Sequence, residues 1–371
     1  MVETGGEAGT RTGGPYFDDL SRGQRFDQAP SVTLTDGAAA AHRSIVGGRL
    51  RLALDHRLSA AVVPDRGPLA SPALVWDTAI GQSTLATQRV LANLFYRGLA
   101  FHRFPAIGDT LHTTTEVAAL KQNRSGPTGL AALRVRTVDH HGRTVLDFWR
   151  CAMLPRRDPS IDSGYHDDLD QVGAATDGVG GAGGAGGAAG VGGGSGAGAA
   201  GPSGAIAGWA LAAFRQQLPG RHFDALSLGD RWEGLGGDVV SSAPELARLT
   251  GNLAAVHHDR RAARDGRRLV YGGHTIGLAF TQALTALPNL VTVVAWHGCD
   301  HTGPVHEGDT LSSTLTVERL EPFSGRGGGE SGGGLVHLRS VVTAAPSSDT
   351  APDGTADGTA VLDWRFVAVL A

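Results

Sequence analysis

Tyr16-Phe17-Asp18-Asp19-Leu20-Ser21-Arg22-Gly23-Gln24-Arg25-Phe26 returns later in the chain as His222-Phe223-Asp224-Ala225-Leu226-Ser227-Leu228-Gly229-Asp230-Arg231-Trp232. Three further landmarks repeat in the same order. Pro105-Ala106-Ile107-Gly108-Asp109-Thr110-Leu111 returns as Pro304-Val305-His306-Glu307-Gly308-Asp309-Thr310-Leu311, with one residue inserted. Gly129-Leu130 with Leu133-Arg134 returns as Gly334-Leu335 with Leu338-Arg339, and Val145-Leu146-Asp147-Phe148 as Val361-Leu362-Asp363-Trp364. Four landmarks displaced by roughly two hundred residues each make the chain two copies of one unit.

Within a copy the pattern is one helix followed by strands. Leu74 to Gln88 has helical spacing and carries Ile80-Gly81, which matches Ile276-Gly277 in a second helix from Thr275 to Leu287. Runs rich in Val and Thr follow: Val90 to Tyr96, Thr110 to Leu120, Leu130 to Val138 and Val145 to Met153 in the first copy. The second copy gives Val291 to His297, Thr310 to Leu320, Leu335 to Thr343 and Val361 to Leu370. A helix that buries its apolar face against a curved antiparallel sheet leaves neither face uncovered, so the expected class is α+β, a central helix wrapped by an antiparallel sheet, twice over.

The domain reading is a first unit over 15–156, a disordered linker over 157–204 and a second unit over 205–371. From Gly173 to Gly204 the chain is about half glycine, otherwise mostly alanine, and has no aromatic residue. Such a stretch buries too little apolar surface to offset the entropy of ordering it. Its chance GxGxxG matches lack the preceding strand and following acid that a dinucleotide site needs. Ala205 to Leu218, with Trp209, Leu211 and Phe214, reads as a short helix packed on the second copy, and Gly325–Gly334 and Pro346–Gly358 as surface insertions.

Composition narrows the partners. The 371 residues carry a formal net charge of −4, which gives no reason to expect nucleic acid or an anionic membrane. Cys151 and Cys299 are too few for a disulfide scaffold or a cysteine zinc site. Met1 to Gly14 lacks the basic start and apolar run of a signal peptide, and the longest apolar stretch, Ala283 to Trp296, is broken by Pro288. A cytoplasmic protein that binds no membrane is the expectation.

The chemistry concentrates in Thr250-Gly251-Asn252-Leu253-Ala254-Ala255-Val256-His257-His258-Asp259 and in Leu269-Val270-Tyr271-Gly272-Gly273-His274-Thr275. An imidazole, an amide and a Gly-Gly pair opening a helix are the parts that proton transfer beside a polarised carbonyl requires. Aligning the copies puts Gly47-Gly48 opposite Gly251-Asn252, Ala53 opposite His257 and Asp55 opposite Asp259. The first copy lacks both polar groups, which predicts one active site per chain with the first copy kept as a wall. His257 is the candidate acid and base. Asn252, a neutral amide, can orient water or substrate but cannot accept a proton. Gly272 and Gly273 can offer N–H groups to a developing oxyanion at the helix start. Tyr271 and His274 flank them, and Thr275 is an N-cap or a ligand contact. Asp259, and behind it Asp300, are the candidates for a second acid.

The two strings resemble the active-site segments of the MaoC-like hydratases of the hotdog fold, whose usual pattern is Ser-Gly-Asp-x-Asn-Pro-x-His-x-Asp followed by a Val-His-Gly or Val-Tyr-Gly-Gly-His-Thr segment. The match covers Gly251, His257, Asp259 and Tyr271 to Thr275; Asn252 stands where the family has its catalytic Asp, and Ala254-Ala255 where it has Asn-Pro. The Asn-x-Ala-x-x-His variant is similar to that of the mesaconyl-CoA hydratases (β-methylmalyl-CoA dehydratases), a double-hotdog branch. The resemblance implies a tandem hotdog, an acyl-CoA thioester as substrate, reversible addition of water to an enoyl-CoA, and neither metal nor separate cofactor. It leaves two rivals, a hotdog thioesterase and an inactive acyl-CoA-binding subunit. A branched dicarboxylic substrate needs a cation, for which His301, Arg49 and Arg97 are the candidates. Two linked copies can pair their sheets within one chain, which leaves a monomer open and favours a homodimer.

Overall fold

The computed structural model of the chain describes residues 13–124, 126–173, 202–263, 266–323, 332–347 and 358–371. In the first copy, α1 (Asp36–Val46), α2 (Arg51–Leu54), α3 (His56–Val62) and α4 (Pro72–Gln82) are set among β1 (Arg25–Phe26), β2 (Val32–Thr33), β3 (Ala92–Phe101), β4 (Thr110–Gln122), β5 (Thr128–Asp139) and β6 (Thr144–Pro155). The second contributes α5 (Leu211–Gln217), α6 (Ala243–Leu249) and α7 (Gly272–Ala286), with β7 (Arg231–Val239), β8 (Leu290–His301), β9 (Thr310–Pro322), β10 (Gly334–Ala345) and β11 (Thr359–Leu370). No helix among the described residues is long and apolar enough to cross a membrane.

Each copy wraps its antiparallel strands around one helix, the double hotdog layout. The strands form one continuous sheet in the order β1-β4-β5-β6-β3-β8-β11-β10-β9-β7, with β2 beside β4. The copies join where β3 meets β8, in a register that sets Tyr96 opposite Cys299 and Leu99 opposite Trp296. All of α4 is buried, as is α7 from Gly273 to Leu284, which is why both sequences are apolar on nearly every side rather than amphipathic. The repeated Gly-Asp-Thr landmark is a turn: Gly108 and Gly308 have φ of 100° and 95°. The following Asp109 and Asp309 carboxylates accept the N–H groups of Ala106 and His306 at 2.9 and 2.8 Å. From there Leu111, Thr113, Thr115 and Val117 alternate inward along β4, and Leu311, Ser313, Leu315 and Val317 along β9.

The two helices are held by each other's loops. A Cβ on Gly81 of α4 would overlap the Thr250 carbonyl oxygen, and one on Gly277 of α7 would lie 2.8 Å from Cγ1 of Val46. The Ile-Gly pair repeats because each helix touches the loop of the other copy. The loop carrying Asn252 and His257 therefore rests on the first copy.

Several expectations need correction. One helix per copy is too few: α1 to α3 precede α4, and α6 with two 3-10 turns precedes α7, because these short segments do not show a long apolar stripe. The α4 pattern ends at Gln82 and tightens into a 3-10 turn over Ser83–Thr87. Residues 157–173 are not tether. Asp167 accepts from the Arg22 guanidinium at 2.6 Å and from Leu120 N–H at 2.8 Å, and Tyr165 packs edge-on against Phe17. This stretch still has Tyr165, Leu169 and Asp167 to make contacts, and the Gly/Ala composition begins only after it. At its other end the linker reading also runs too far, because 202–204 belong to a 3-10 turn over Pro202–Ile206; residues 174–201, and most of both surface insertions, lie outside the described residues. The Ala205–Leu218 segment forms α5 as expected, but it does not pack on the second copy alone. Ala210 N–H donates to Val62 O at 2.8 Å and Trp209 meets Phe104 at 5.1 Å, so apolar surface on α3 captures it.

Candidate active site

The loop after α6 is built to hold two side chains. Gly251 turns it in the left-handed region, φ 69°, and the Asn252 N–H closes on Ala247 O at 2.8 Å. Leu253 N–H donates to Thr84 Oγ1 of the first copy at 2.9 Å, which ties the loop to the end of α4. Asn252 Oδ1 accepts the Ala254 N–H at 2.9 Å, so the amide cannot be flipped and its Nδ2–H₂ is left as the available donor. His257 closes a 3-10 turn and stands 8 % exposed.

The imidazole is in a defined tautomer. Nδ1 lies 2.9 Å from the Leu269 carbonyl, which can only accept, so Nδ1 carries the proton and Nε2 keeps its lone pair. Burial pushes the His257 pKa down to about 4. A neutral ring with a bare Nε2 is the form a general base needs at neutral pH.

His257, Asn252, Tyr271, Gly272, Thr275 and His301 line one cleft of about 250 Å³. Its other side comes from the first copy: Ile80, Thr84, Asn93, Tyr96 and Arg150. The α7 helix starts at Gly272 with Tyr271 as its N-cap, so the Gly272 N–H precedes the first turn's bonding and is free for a ligand. A Cβ on Gly272 would lie 2.7 Å from His301 Nε2, so a glycine is required for the helix start to approach that ring. His301 stacks edge-on against Tyr96 at 5.8 Å, and burial also holds its pKa at about 4. Behind the helix start, Asp77 joins two residues: His42 Nε2 donates to Oδ2 at 2.8 Å and the Tyr271 hydroxyl to Oδ1 at 3.1 Å. Burial, with Asp77 beside it, raises the Tyr271 pKa well above the phenol value, so the hydroxyl stays protonated.

No family model matches the chain. A solved structure of a conserved protein from Mycobacterium tuberculosis, described as essential for bacterial survival during infection and as having a double hotdog fold, is 53 % identical. The match covers 98 % of this chain and 100 % of that one, with a TM-score of 0.82. A structure from Chloroflexus aurantiacus described as a MaoC domain dehydratase is 26 % identical over 98 % of this chain and 99 % of that one, TM-score 0.76. The chain belongs to the MaoC-like double-hotdog family. Two curated relatives share 27 % identity with it. The β-methylmalyl-CoA dehydratase of Chloroflexus aurantiacus matches over 96 % of this chain and 97 % of its own, and the mesaconyl-CoA hydratase of Cereibacter sphaeroides over 82 % and 83 %.

The two MaoC-like halves have diverged at matched positions. Counting back from Ile80 and Ile276, Trp76 stands where the second half has Gly272, and Asp77 where it has Gly273. The Trp76 indole packs among Trp296, Trp364 and Phe280, at 5.0, 6.1 and 5.5 Å. The pocket against the first half's loop, lined by Gly48 and Ala53 where the second half has Asn252 and His257, shrinks to about 30 Å³. Among the described residues the cleft that holds Asn252 and His257 is therefore the roomier of these two matched pockets.

Two residues expected in the site lie elsewhere. Gly273 is buried, a Cβ there would overlap Asp77 Oδ1 and the Tyr271 ring, and it takes no part in lining the cleft. His274 is fully buried, has no partner on either ring nitrogen among the described residues, and its pKa falls to about 4 through burial and the nearby His42. Each step along a helix turns a side chain by about 100°, so Gly273 and His274, which follow Gly272 in the first turn, point away from the cleft that Gly272 and Thr275 line. Asp259 is half-exposed, caps the next turn through Arg261 N–H at 2.9 Å and pairs with the Arg261 guanidinium. Asp300 is exposed and outside the cleft, as is Arg49, and Arg97 lies over the Phe95 ring at 3.8 Å. Arg150 was not anticipated. The signal was present: it occupies an inward position of β6 between Phe148 and Ala152, where alternation calls for an apolar residue.

Three buried histidines with pKa near 4 make stability depend on acid. His257, His274 and His301 are neutral in the fold, while in the unfolded chain they take up protons below about 6.5. The unfolded state then binds more protons, so stability is lost as pH falls from about 6.5 towards 4, by about 1–2 kcal/mol for each ring at pH 5. Urea unfolding at pH 7.5 and pH 5 measures this, and His274→Phe, which removes one such ring, should flatten the dependence.

Proposed function

We propose that the chain hydrates a short dicarboxylic enoyl-CoA, mesaconyl-CoA to β-methylmalyl-CoA, and catalyses the reverse dehydration. The observation that carries the reading is the neutral His257, its Nδ1 fixed on Leu269 O and its Nε2 left as base in the cleft where Gly272 opens α7. The names and lengths of the two curated relatives support the same reaction class.

The thioester oxygen takes the Gly272 N–H at the positive end of α7. Asn252 Nδ2–H donates to the oxygen of a water, and Nε2 of His257 removes one of its protons as that oxygen bonds to the β-carbon. The electron pair of the double bond moves to the thioester oxygen as an enolate. His257, now protonated, returns its proton to the α-carbon, and the sum is one water added. Because Asn252 cannot take a proton, one imidazole serves both steps.

On mixing with mesaconyl-CoA, the absorbance of the conjugated thioester should fall without release of free thiol; crotonyl-CoA in parallel separates the reaction from the substrate. Free thiol with either compound would instead favour a thioesterase. The pH profile is a second expectation. The active base is the unprotonated ring, present above its pKa of about 4 and lost below it, so kcat/KM should show no acid limb near 6.5. Initial rates from pH 5.5 to 8 check this; a limb centred at 6.5 would contradict it.

A further inference from the structure

Arg150 is a buried cation in the cleft without an anion. It is 3 % exposed; its Nε donates to Asn93 Oδ1 at 3.0 Å and its Nη1 to Ser83 Oγ at 2.9 Å, both neutral acceptors. A guanidinium has five donor hydrogens, so three remain without a protein acceptor among the described residues. The other buried arginine of the described residues, Arg156, does have a carboxylate, Asp18 at 3.2 Å. The fold does not demand a cation at this place. Repeating Val145-Leu146-Asp147-Phe148 as Val361-Leu362-Asp363-Trp364 puts Phe366 at the matching position of the second copy, fully buried against Trp364.

A guanidinium stays charged at any physiological pH, and burying it among neutral groups is unfavourable unless an anion arrives. The coenzyme A phosphates are separated from the thioester by the whole pantetheine arm, whereas an acyl chain placed between His257 and Gly272 shares the cleft with Arg150. We propose that Arg150 receives a free carboxylate at the far end of the acyl chain and selects dicarboxylic over monocarboxylic acyl-CoA thioesters. The planar fork suits a carboxylate, and its remaining N–H groups match two oxygens. This deepens the hydratase reading and takes its reaction from it, but the selection itself can be read by binding.

Succinyl-CoA and butyryl-CoA have the same carbon count and differ in a terminal carboxylate against a methyl. Titration calorimetry on the wild-type chain should show succinyl-CoA bound at least tenfold more tightly. Arg150→Met should weaken succinyl-CoA about 100-fold and leave butyryl-CoA within a few-fold, which also reports that the variant is folded. Arg150→Lys, which keeps the charge and loses the fork, should fall between them. Equal binding of the two thioesters by the wild type overturns the proposal, whatever the variants do. So does an equal loss of both in Arg150→Met when Arg150→Lys restores both, the result for a cation that holds the thioester oxygen. If the wild type prefers succinyl-CoA yet hydrates no enoyl-CoA, the carboxylate site stands and the hydratase reading fails. If crotonyl-CoA is hydrated with no preference for a carboxylate, the reverse holds.

Discussion

His257→Ala should lower kcat for hydration by about 10³-fold while acyl-CoA binding and folding change little. Its Nδ1 is committed to Leu269 O, which fixes the tautomer and leaves Nε2 bare in the cleft. Asn252 cannot take over proton transfer, and Asp259 is turned outward onto Arg261. His301 shares the cleft and has a similarly low pKa, but it is held across the helix start beside Gly272 and Tyr96, on the side where the proposed mechanism sets the thioester oxygen. Truncating His257 leaves one carbonyl without its donor beside a cleft that admits water, a modest structural change. Steady-state kcat, with a thermal melt as the folding control, measures the effect. A loss below tenfold in a folded variant would move the base elsewhere.

Gly81→Ala should abolish most activity although Gly81 touches no substrate. In an ordinary helix interior the change is stabilising by about 1 kcal/mol. Here the new methyl overlaps the carbonyl oxygen of Thr250, a backbone atom that cannot swing aside, so either α4 or the catalytic loop must move. Overpacking of that kind costs about 3 kcal/mol or more, and the loop that shifts carries Asn252 and His257. The matching change in the other helix is the control. Gly277→Ala brings a methyl to 2.8 Å from Val46, a side chain, beside a loop with no polar pair. It should lose less stability and retain most of its activity. Urea unfolding and kcat on the two variants read both halves of the expectation. Similar behaviour of the pair would mean that the two loops are not functionally distinct.

The fold was legible because its constraints are local and occur twice. Gly108-Asp109 and Gly308-Asp309 make the same turn with the same carboxylate bond, and the strands that follow alternate at period two. The second copy's side of the site was legible for a related reason: the Gly251 turn, the 3-10 turn at His257 and the start of α7 are each set by a few adjacent residues. What could not be read is what the β3–β8 junction brings together. Thr84, Tyr96 and Arg150 reach the cleft only because the copies pair edge to edge, and no spacing along one copy encodes that distance. Arg150 alone left a trace, as a charge on an inward strand position. Gly273 and His274 failed in the opposite direction, since adjacency to Gly272 says nothing about helix rotation. The linker expectation began too early because 157–172, although polar, lie before the Gly/Ala-rich run, and Asp167 and Tyr165 there find partners on the first copy.

Mass analysis of the acyl-CoA pool after mesaconyl-CoA is incubated with the wild type and with His257→Ala tests hydration at His257 most directly. The wild type should convert the enoyl-CoA to a species heavier by one water, with coenzyme A still attached, and the variant should leave it unchanged on the same timescale. Free coenzyme A from the wild type, or equal conversion by both proteins, would contradict it.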